Sequence, residues 1–291
     1  MGFDLQLARF VLDGRLAGVD FGRTATLGRQ NLNINRKTYA EEAKRFGLDS
    51  SPEAVERVFA TEPYVDGMMK ELGASDVFSI DASSYEHASF IADMNEPIAE
   101  ELYNRFSVVI DGGTLEHVFN FPQAVQNVAR MVRVGGHILS VNGSNNFNGH
   151  AFYQFSPELF FRVFSEENGF KVESMILTEC NEDGIWYEVT DPAVAGGRVQ
   201  LINNARTYLM MRAKKIAEVP MFSRTPQQSD FHDNSWHNTS RVEARAYLRR
   251  PLRQRIMDRY FPKPLRLLSR RLHQATRSHF QSPHLKEVRR F

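Results

Sequence analysis

The sequence contains very little cysteine and has no long apolar run. Cys180 is the single cysteine among 291 residues, which excludes an internal disulfide and a site built from several cysteines. No stretch approaches the roughly 18 consecutive apolar residues of a transmembrane helix, and charged residues interrupt the first twenty positions, where a signal peptide would be apolar. We therefore expect a soluble, cytoplasmic protein in which Cys180 simply packs against its neighbours.

Three common catalytic signatures are also missing. The sequence has no P-loop pattern, no serine-centred nucleophile elbow and no His-Glu-x-x-His motif. His232 and His237 lie near two aspartates in a polar stretch, but their spacing does not place them on one helical face. We therefore predict that the protein has no metal site.

Charge is divided unevenly along the chain. Residues 241–291 hold 15 Lys and Arg against 3 Asp and Glu, a net of +12, so residues 1–240 carry −11 of the overall +1. Leucines at helical spacing separate the arginines, which predicts a basic, amphipathic helical tail after a polar linker at 216–240. This tail either folds back on the acidic body or lies on an anionic membrane surface. Its few aromatic residues argue against nucleic acid as the partner.

Between residues 24 and 215, short β-rich runs alternate with stretches of helical periodicity. The alternation predicts βαβ crossovers and a doubly wound, mostly parallel sheet in an α/β domain that spans residues 1–215. The last two runs are joined by about thirty residues without a strong helical pattern, which favours an antiparallel last strand. The predicted strands are 24–27, 77–80, 90–91, 107–110, 137–141, 172–177 and 207–211.

Aspartates follow three successive predicted strands, at the sheet edge where ligands bind in open parallel sheets. These are Asp81, Asp93 and Asp111. One such aspartate alone is typical of a turn or a helix cap, but three at successive strand ends indicate a ligand site. A carboxylate after the second strand suits a ribose diol, and one beside the third suits an exocyclic amine.

The stretches "VVIDGGTLEHV" and "VRVGGHILSV" resemble the fourth and fifth motifs of the class I S-adenosylmethionine-dependent methyltransferases. The resemblance covers residues 24–215. It implies a Rossmann-like fold, S-adenosylmethionine as the cofactor, and methyl transfer to a small-molecule or glycan-type acceptor.

The resemblance also implies roles for individual residues. Asp81 would bind the cofactor ribose, and Asp93 would meet the adenine amine, with Met94 against the ring. Near the methionine part and its methyl group it implies Asp111, Gly112 and Gly113.

The first motif departs from the family. Members of the family place glycines at alternate positions after the first strand, whereas this chain reads "TLGRQ", with Gly28 alone. Either Arg29 and Gln30 replace the backbone contacts with side-chain contacts to the methionine carboxylate, or the site no longer binds the cofactor. The gap of 53 residues from Gly28 to Asp81, where about 20 is usual, predicts a helical insertion at 37–72.

The predicted acceptor side carries histidines and aromatic residues. Glu116 and His117 are expected to begin the helix after the fourth strand. Glu116 there either interacts with the helix dipole or acts in catalysis, and His117 as a general base is a hypothesis. After the fifth strand, His150 and Tyr153 stand among phenylalanines that either form an acceptor pocket or tie the loop to the core.

Three functions remain open at this stage. The chain is a methyltransferase, a methyltransferase-like binding or scaffold protein without cofactor, or a membrane-surface protein that acts through its tail.

Overall fold

The computed structural model describes residues 2–181, 184–232 and 285–291. The strands are β1 (Gly2–Phe3), β2 (Arg23–Leu27), β3 (Asn31–Leu32), β4 (Asp76–Asp81), β5 (Phe90–Ile91), β6 (Phe106–Gly112), β7 (Val132–Asn145), β8 (Phe170–Glu179), β9 (Ile185–Val189), β10 (Thr207–Lys215) and β11 (Leu285–Arg290). The α-helices are α1 (Leu5–Leu16), α2 (Arg36–Arg45), α3 (Pro52–Phe59), α4 (Asp66–Glu71), α5 (Phe121–Met131), α6 (Pro157–Val163), α7 (Pro192–Ala195) and α8 (Ser229–His232).

The main sheet has nine strands in the order β11-β9-β8-β10-β7-β6-β2-β4-β5. Strands β5, β4, β2, β6 and β7 are parallel, and their order is the 3-2-1-4-5 order of a doubly wound sheet. Strand β10 runs antiparallel between β7 and β8. The predicted doubly wound sheet with an antiparallel last main strand is confirmed.

Each face of the sheet is covered by its own hydrophobic core, because successive strand residues point to opposite faces. On one face Val109 and Ile138 pack with residues of α5 and α6. On the other, Val108 and Leu139 pack with α1 and with helices α2 to α4, which occupy the long gap between Gly28 and β4.

Several helices begin at a side-chain cap. Asp4, Asn35 and Ser51 accept backbone N–H groups at the starts of α1, α2 and α3. Ser156 does the same for α6, which has Pro157 at its first position, where the fixed φ of proline suits a helix.

The C-terminal residues differ from the predicted helical tail. Residues 285–290 form β11, which pairs antiparallel with β9, so the prediction of a helix is wrong for them. The ring of Phe291 then packs edge-on against Trp186, with centroids 4.9 Å apart. Residues 233–284, which hold His237 and most of the predicted tail, lie outside the described residues, and the membrane-surface role remains a prediction.

The described part of the predicted linker packs on the body of the protein. Met221 and Phe222 pack against the hydrophobic core, and Ser229 N donates to Oε1 of Glu158 in α6 at 2.8 Å. Among the described residues, none of the helices combines the length and hydropathy needed to cross a bilayer.

Candidate active site

A cavity of about 340 Å³ opens at the carboxyl ends of β2, β4, β5 and β6. Its lining also contains residues that the sequence reasoning missed, notably Glu86, Thr114 and Val118. Thr114 and Val118 stand in the stretch "VVIDGGTLEHV" without a predicted role, and Glu86 stands in no motif; all three reach the cavity because their turns meet there. Seven of the nine predicted cofactor residues line it, namely Gly28, Arg29, Gln30, Asp81, Asp93, Met94 and Gly113.

Gly28 is the point at which the turn after β2 crosses the end of β4. Its N–H donates to Ile80 O at 2.6 Å, and its φ is +74°. A Cβ at this position would lie 3.2 Å from Gln30 Nε2 and 3.7 Å from Asp81 Oδ2. Because a side chain here would be both strained and crowded, the one glycine of the first motif is placed where the backbone needs it.

Gln30 fills the space between the ends of β2 and β6. Its side chain is 3% exposed, and its Nε2 donates to Leu27 O at 2.6 Å. Its Oε1 is buried and has no hydrogen-bond partner among the described residues. This unused acceptor lies on the side of Gly112 and not on the side of the cavity, since a Cβ on Gly112 would be 3.2 Å from it and Gly112 is not part of the cavity lining.

The Arg29 side chain is directed towards the helical insertion. Its guanidinium forms an ion pair with Asp66 Oδ1 at 3.2 Å and lies 4.2 Å from the centroid of the Tyr64 ring. Its charge is thus already matched by a residue of α4.

Asp81 and Asp93 each use one carboxylate oxygen in their own turn. Asp81 Oδ1 accepts from Ser83 N at 3.0 Å, and Asp93 Oδ1 accepts from the backbone and side-chain nitrogens of Asn95, both at 2.8 Å. These hydrogen bonds lower the pKa of Asp93. Within the described part of the chain no group donates to Oδ2 of either aspartate, so the turn interpretation is confirmed for both and the ligand interpretation stays a prediction.

Asp111 does not face the cavity, which corrects the predicted cofactor contact. Its fully buried carboxylate accepts from Thr114 N, Leu115 N, Ser140 Oγ and Asn142 Nδ2 at 2.6 to 3.2 Å. Burial raises the pKa of Asp111, and these four hydrogen bonds oppose the rise. The residue therefore organises the turn after β6 from inside the protein.

The two glycines of this turn have different surroundings. Gly113, with φ +80°, lines the cavity. Gly112 does not line the cavity. A Cβ on Gly112 would lie 2.8 Å from Leu7 Cδ2 and 3.2 Å from Gln30 Oε1, so Leu7 and Gln30 pack closely against this glycine. The prediction for Gly112 is corrected accordingly: it allows α1 and Gln30 to pack beneath the turn.

Glu116, His117 and His150 come together beside the cavity. Glu116 is 1% exposed, and its Oε2 accepts from Gly143 N at 2.6 Å. Its Oε1 lies 2.9 Å from His150 Nε2 and 3.9 Å from His117 Nε2. Burial is the main reason why the pKa of Glu116 rises to about 7, and burial together with His150 lowers the pKa of His117.

The local structure around this cluster differs from the prediction. Leu115–His117 form a short 3-10 turn, and α5 begins only at Phe121, so Glu116 is not in the first turn of that helix. His117 also lines the cavity and so connects the cluster with the predicted cofactor site.

Tyr153 does not join the cluster through its hydroxyl, and its hydrogen bonds favour the alternative in which these residues tie the loop down over a catalytic role for Tyr153. Its N–H donates to Glu116 O at 3.1 Å, and its O–H donates to Phe119 O at 2.7 Å. The residue ties the loop after β7 to the 3-10 turn. Phe152, on the same loop, is exposed and forms an edge-to-face pair with the exposed Phe119, with centroids 5.7 Å apart.

A second cavity, of about 350 Å³, lies at the opposite ends of the strands, near the start of β8. Lys215 lines it, but its Nζ already donates to Ala129 O and Val132 O at 2.8 Å each. None of the strand-end aspartates lines this cavity.

No protein-family model matches the chain, and no curated protein matches it. Among solved structures, the chain is similar to a SAM-dependent methyltransferase from Archaeoglobus fulgidus, with 12% identity, coverage of 73% of this chain and 95% of the other, and a TM-score of 0.38. The chain is also similar to the 1,6-didemethyltoxoflavin-N1-methyltransferase of Burkholderia thailandensis, with 14% identity, coverage of 72% of this chain and 77% of the other, and a TM-score of 0.36. A third similar structure is the branched-chain polyamine synthase of Thermus thermophilus, with 13% identity, coverage of 77% of this chain and a TM-score of 0.37. The chain spans 60% of the length of that protein.

Proposed function

We propose that this chain, whose sheet has the Rossmann-like topology of class I S-adenosylmethionine-dependent methyltransferases, transfers a methyl group from S-adenosylmethionine to a small-molecule acceptor. The observation that carries the proposal is the cavity at the strand ends, into which Asp81 and Asp93 bring carboxylates that each keep one open oxygen. A glycan-type acceptor remains a prediction.

The residues of the cavity fit the chemistry of this cofactor. Its volume lies within the range of small-molecule sites, roughly 300 to 1,000 Å³. Asp81, Asp93 and Glu86 line it, while the one lining arginine is already paired with Asp66. The excess of carboxylates favours a ligand with positive charge, and S-adenosylmethionine carries a sulfonium and an ammonium group.

The ribose and the adenine of the cofactor each have a suitable partner. Asp81 would hold the ribose hydroxyls, and Asp93 with Met94 would hold the adenine. The methionine part would lie towards Gly28 and Gly113, where Arg29 is already paired with Asp66 and Oε1 of Gln30 is buried against Gly112, outside the cavity. This differs from one of the two alternatives for the first motif, in which Arg29 and Gln30 contact the methionine carboxylate.

When bound, the cofactor supplies a methyl group on a sulfonium, and the transfer requires the acceptor to be held in line with it. His117 lines the cavity and also belongs to the Glu116 cluster. Burial and the neighbouring His150 lower the pKa of His117, which favours its neutral imidazole. The exposed rings of Phe119 and Phe152 offer apolar surface against which a flat acceptor can pack.

Calorimetric titration of the full chain with S-adenosylhomocysteine tests the proposal. We expect one equivalent to bind, and we expect Asp81→Asn/Asp93→Asn to weaken binding because it removes both carboxylates. An absence of heat at high micromolar ligand would contradict the proposal. That result would favour the binding or scaffold protein without cofactor, because the buried Gln30 side chain already occupies space at the turn of the first motif.

A further inference from the structure

We propose that Glu116, His117 and His150 bind a divalent transition-metal ion of the Zn²⁺ type. One ligand atom from each residue can be chosen so that all three lie within 4.8 Å of one another. In a tetrahedral zinc site, with bonds of about 2.0 to 2.1 Å, neighbouring ligand atoms lie about 3.3 Å apart. The distances from Glu116 Oε1 to the two Nε2 atoms, 2.9 and 3.9 Å, bracket this value.

The ligand atoms are held by the surrounding backbone. Gly143 N fixes the Glu116 carboxylate through Oε2 and leaves Oε1 towards the histidines. The loop that carries His150 is closed by His150 N, which donates to Phe147 O at 3.0 Å, and by Phe147 N, which donates to Gln154 Oε1 at 2.8 Å. Ordering the site on metal binding therefore requires only small side-chain movements.

The ligand types select the metal. Two imidazoles and one carboxylate suit Zn²⁺ and other first-row transition metals, whereas Mg²⁺ and Ca²⁺ prefer oxygen ligands. The Glu116 carboxylate is buried, and burial of an unpaired negative charge costs free energy. A cation bound beside the carboxylate would offset that cost.

Three protein ligands leave one coordination position open. The side chains of His117 and His150 are 45% and 31% exposed, so the open position faces solvent on the side of the cavity that His117 lines. Water or an oxygen atom of the acceptor can occupy it. This last step rests on the proposed function, whereas metal binding itself does not.

Titration of the chelator-treated full chain with Co²⁺, followed by visible absorption, tests the site. Co²⁺ replaces Zn²⁺ in such sites and absorbs in the visible range when bound. We expect one equivalent with a tetrahedral spectrum, displaced by Zn²⁺. His117→Ala, His150→Ala and Glu116→Gln should each weaken binding at least about tenfold, and His87→Asn, on a loop outside the cluster, should not.

Equal Co²⁺ affinity in the wild type and in His117→Ala/His150→Ala would overturn the inference, as would no absorption change at high micromolar Co²⁺. The two histidines are partly exposed, so these variants should fold even if Glu116→Gln does not, and circular dichroism checks this. A parallel titration with S-adenosylhomocysteine separates the two proposals, because loss of either binding leaves the other measurable.

Discussion

Replacing Asp81 with Asn should weaken cofactor binding strongly while leaving the fold intact. Asp81 Oδ1 is shared with Ser83 N, so Oδ2 is the oxygen available to a ribose hydroxyl. Asn can keep the bond from Ser83, but it then presents an amide N–H₂ group, which cannot accept. The loss of one hydrogen bond to a charged group costs about 1.5 to 3 kcal/mol, which corresponds to a roughly 10- to 150-fold higher Kd.

The assay is calorimetry with S-adenosylhomocysteine, paired with thermal unfolding of each variant. Asp76→Asn is the matched control, because Asp76 lies at the other end of β4 and its carboxylate accepts a hydrogen bond only from Ser75 Oγ, at 3.1 Å, among the described residues. If Asp81→Asn binds as tightly as the wild type, the ribose assignment is refuted. If both variants weaken binding equally, the effect comes from the strand and not from a contact with the ligand.

Three further predictions address the turn, the thiol and the C-terminus. Gly28→Ala and Gly18→Ala should each cost about 1 to 2 kcal/mol in urea unfolding, since both glycines have positive φ. Only Gly28→Ala should weaken binding of S-adenosylhomocysteine, because a Cβ on Gly18 meets nothing within 4 Å. Burial raises the pKa of Cys180 to about 12, so its alkylation at pH 8 should be roughly a thousand times slower than that of a free thiol and should speed up as pH rises; a rate like that of free cysteine would contradict this. Phe291→Ala should lower the free energy of unfolding by about 1 to 3 kcal/mol through lost aromatic and cation–π contacts, whereas Phe231→Ala, at an exposed position, should not.

The main strands could be predicted because each combines β-branched or apolar residues with a flanking turn. Strands β9 and β11 could not. Residues 185–189 follow the polar stretch "ECNEDG", and 285–290 read "LKEVRR", which is as compatible with a charged helix as with a strand. Strand β11 lies at the edge of the sheet, where charged side chains remain in solvent. Whether these residues form a strand or a helix is decided by their pairing with β9, which the local sequence does not encode.

The sequence also predicted which residues stand at strand ends, but not where their side chains point. Asp81 and Asp111 both follow apolar runs, and only the first faces the cavity. Strand β6 lies between β2 and β7, so Ser140 and Asn142 on β7 are close enough to donate to Asp111. The direction of each carboxylate therefore depends on donors that are distant in sequence. The same holds for Glu116 and His150, which no spacing rule connects.

The unusual first motif and the helical insertion form one structural feature. Val65 N, just before α4, donates to Gln30 O at 3.1 Å, and Asp66 at the start of α4 pairs with Arg29. The turn after β2 is therefore held from outside by the insertion. Where alternate glycines would let a ligand approach the backbone, this chain fixes the backbone with α4 and places the Gln30 side chain beneath it. The 53 residues that separate Gly28 from Asp81 and the shortage of glycine in "TLGRQ" then have the same physical origin.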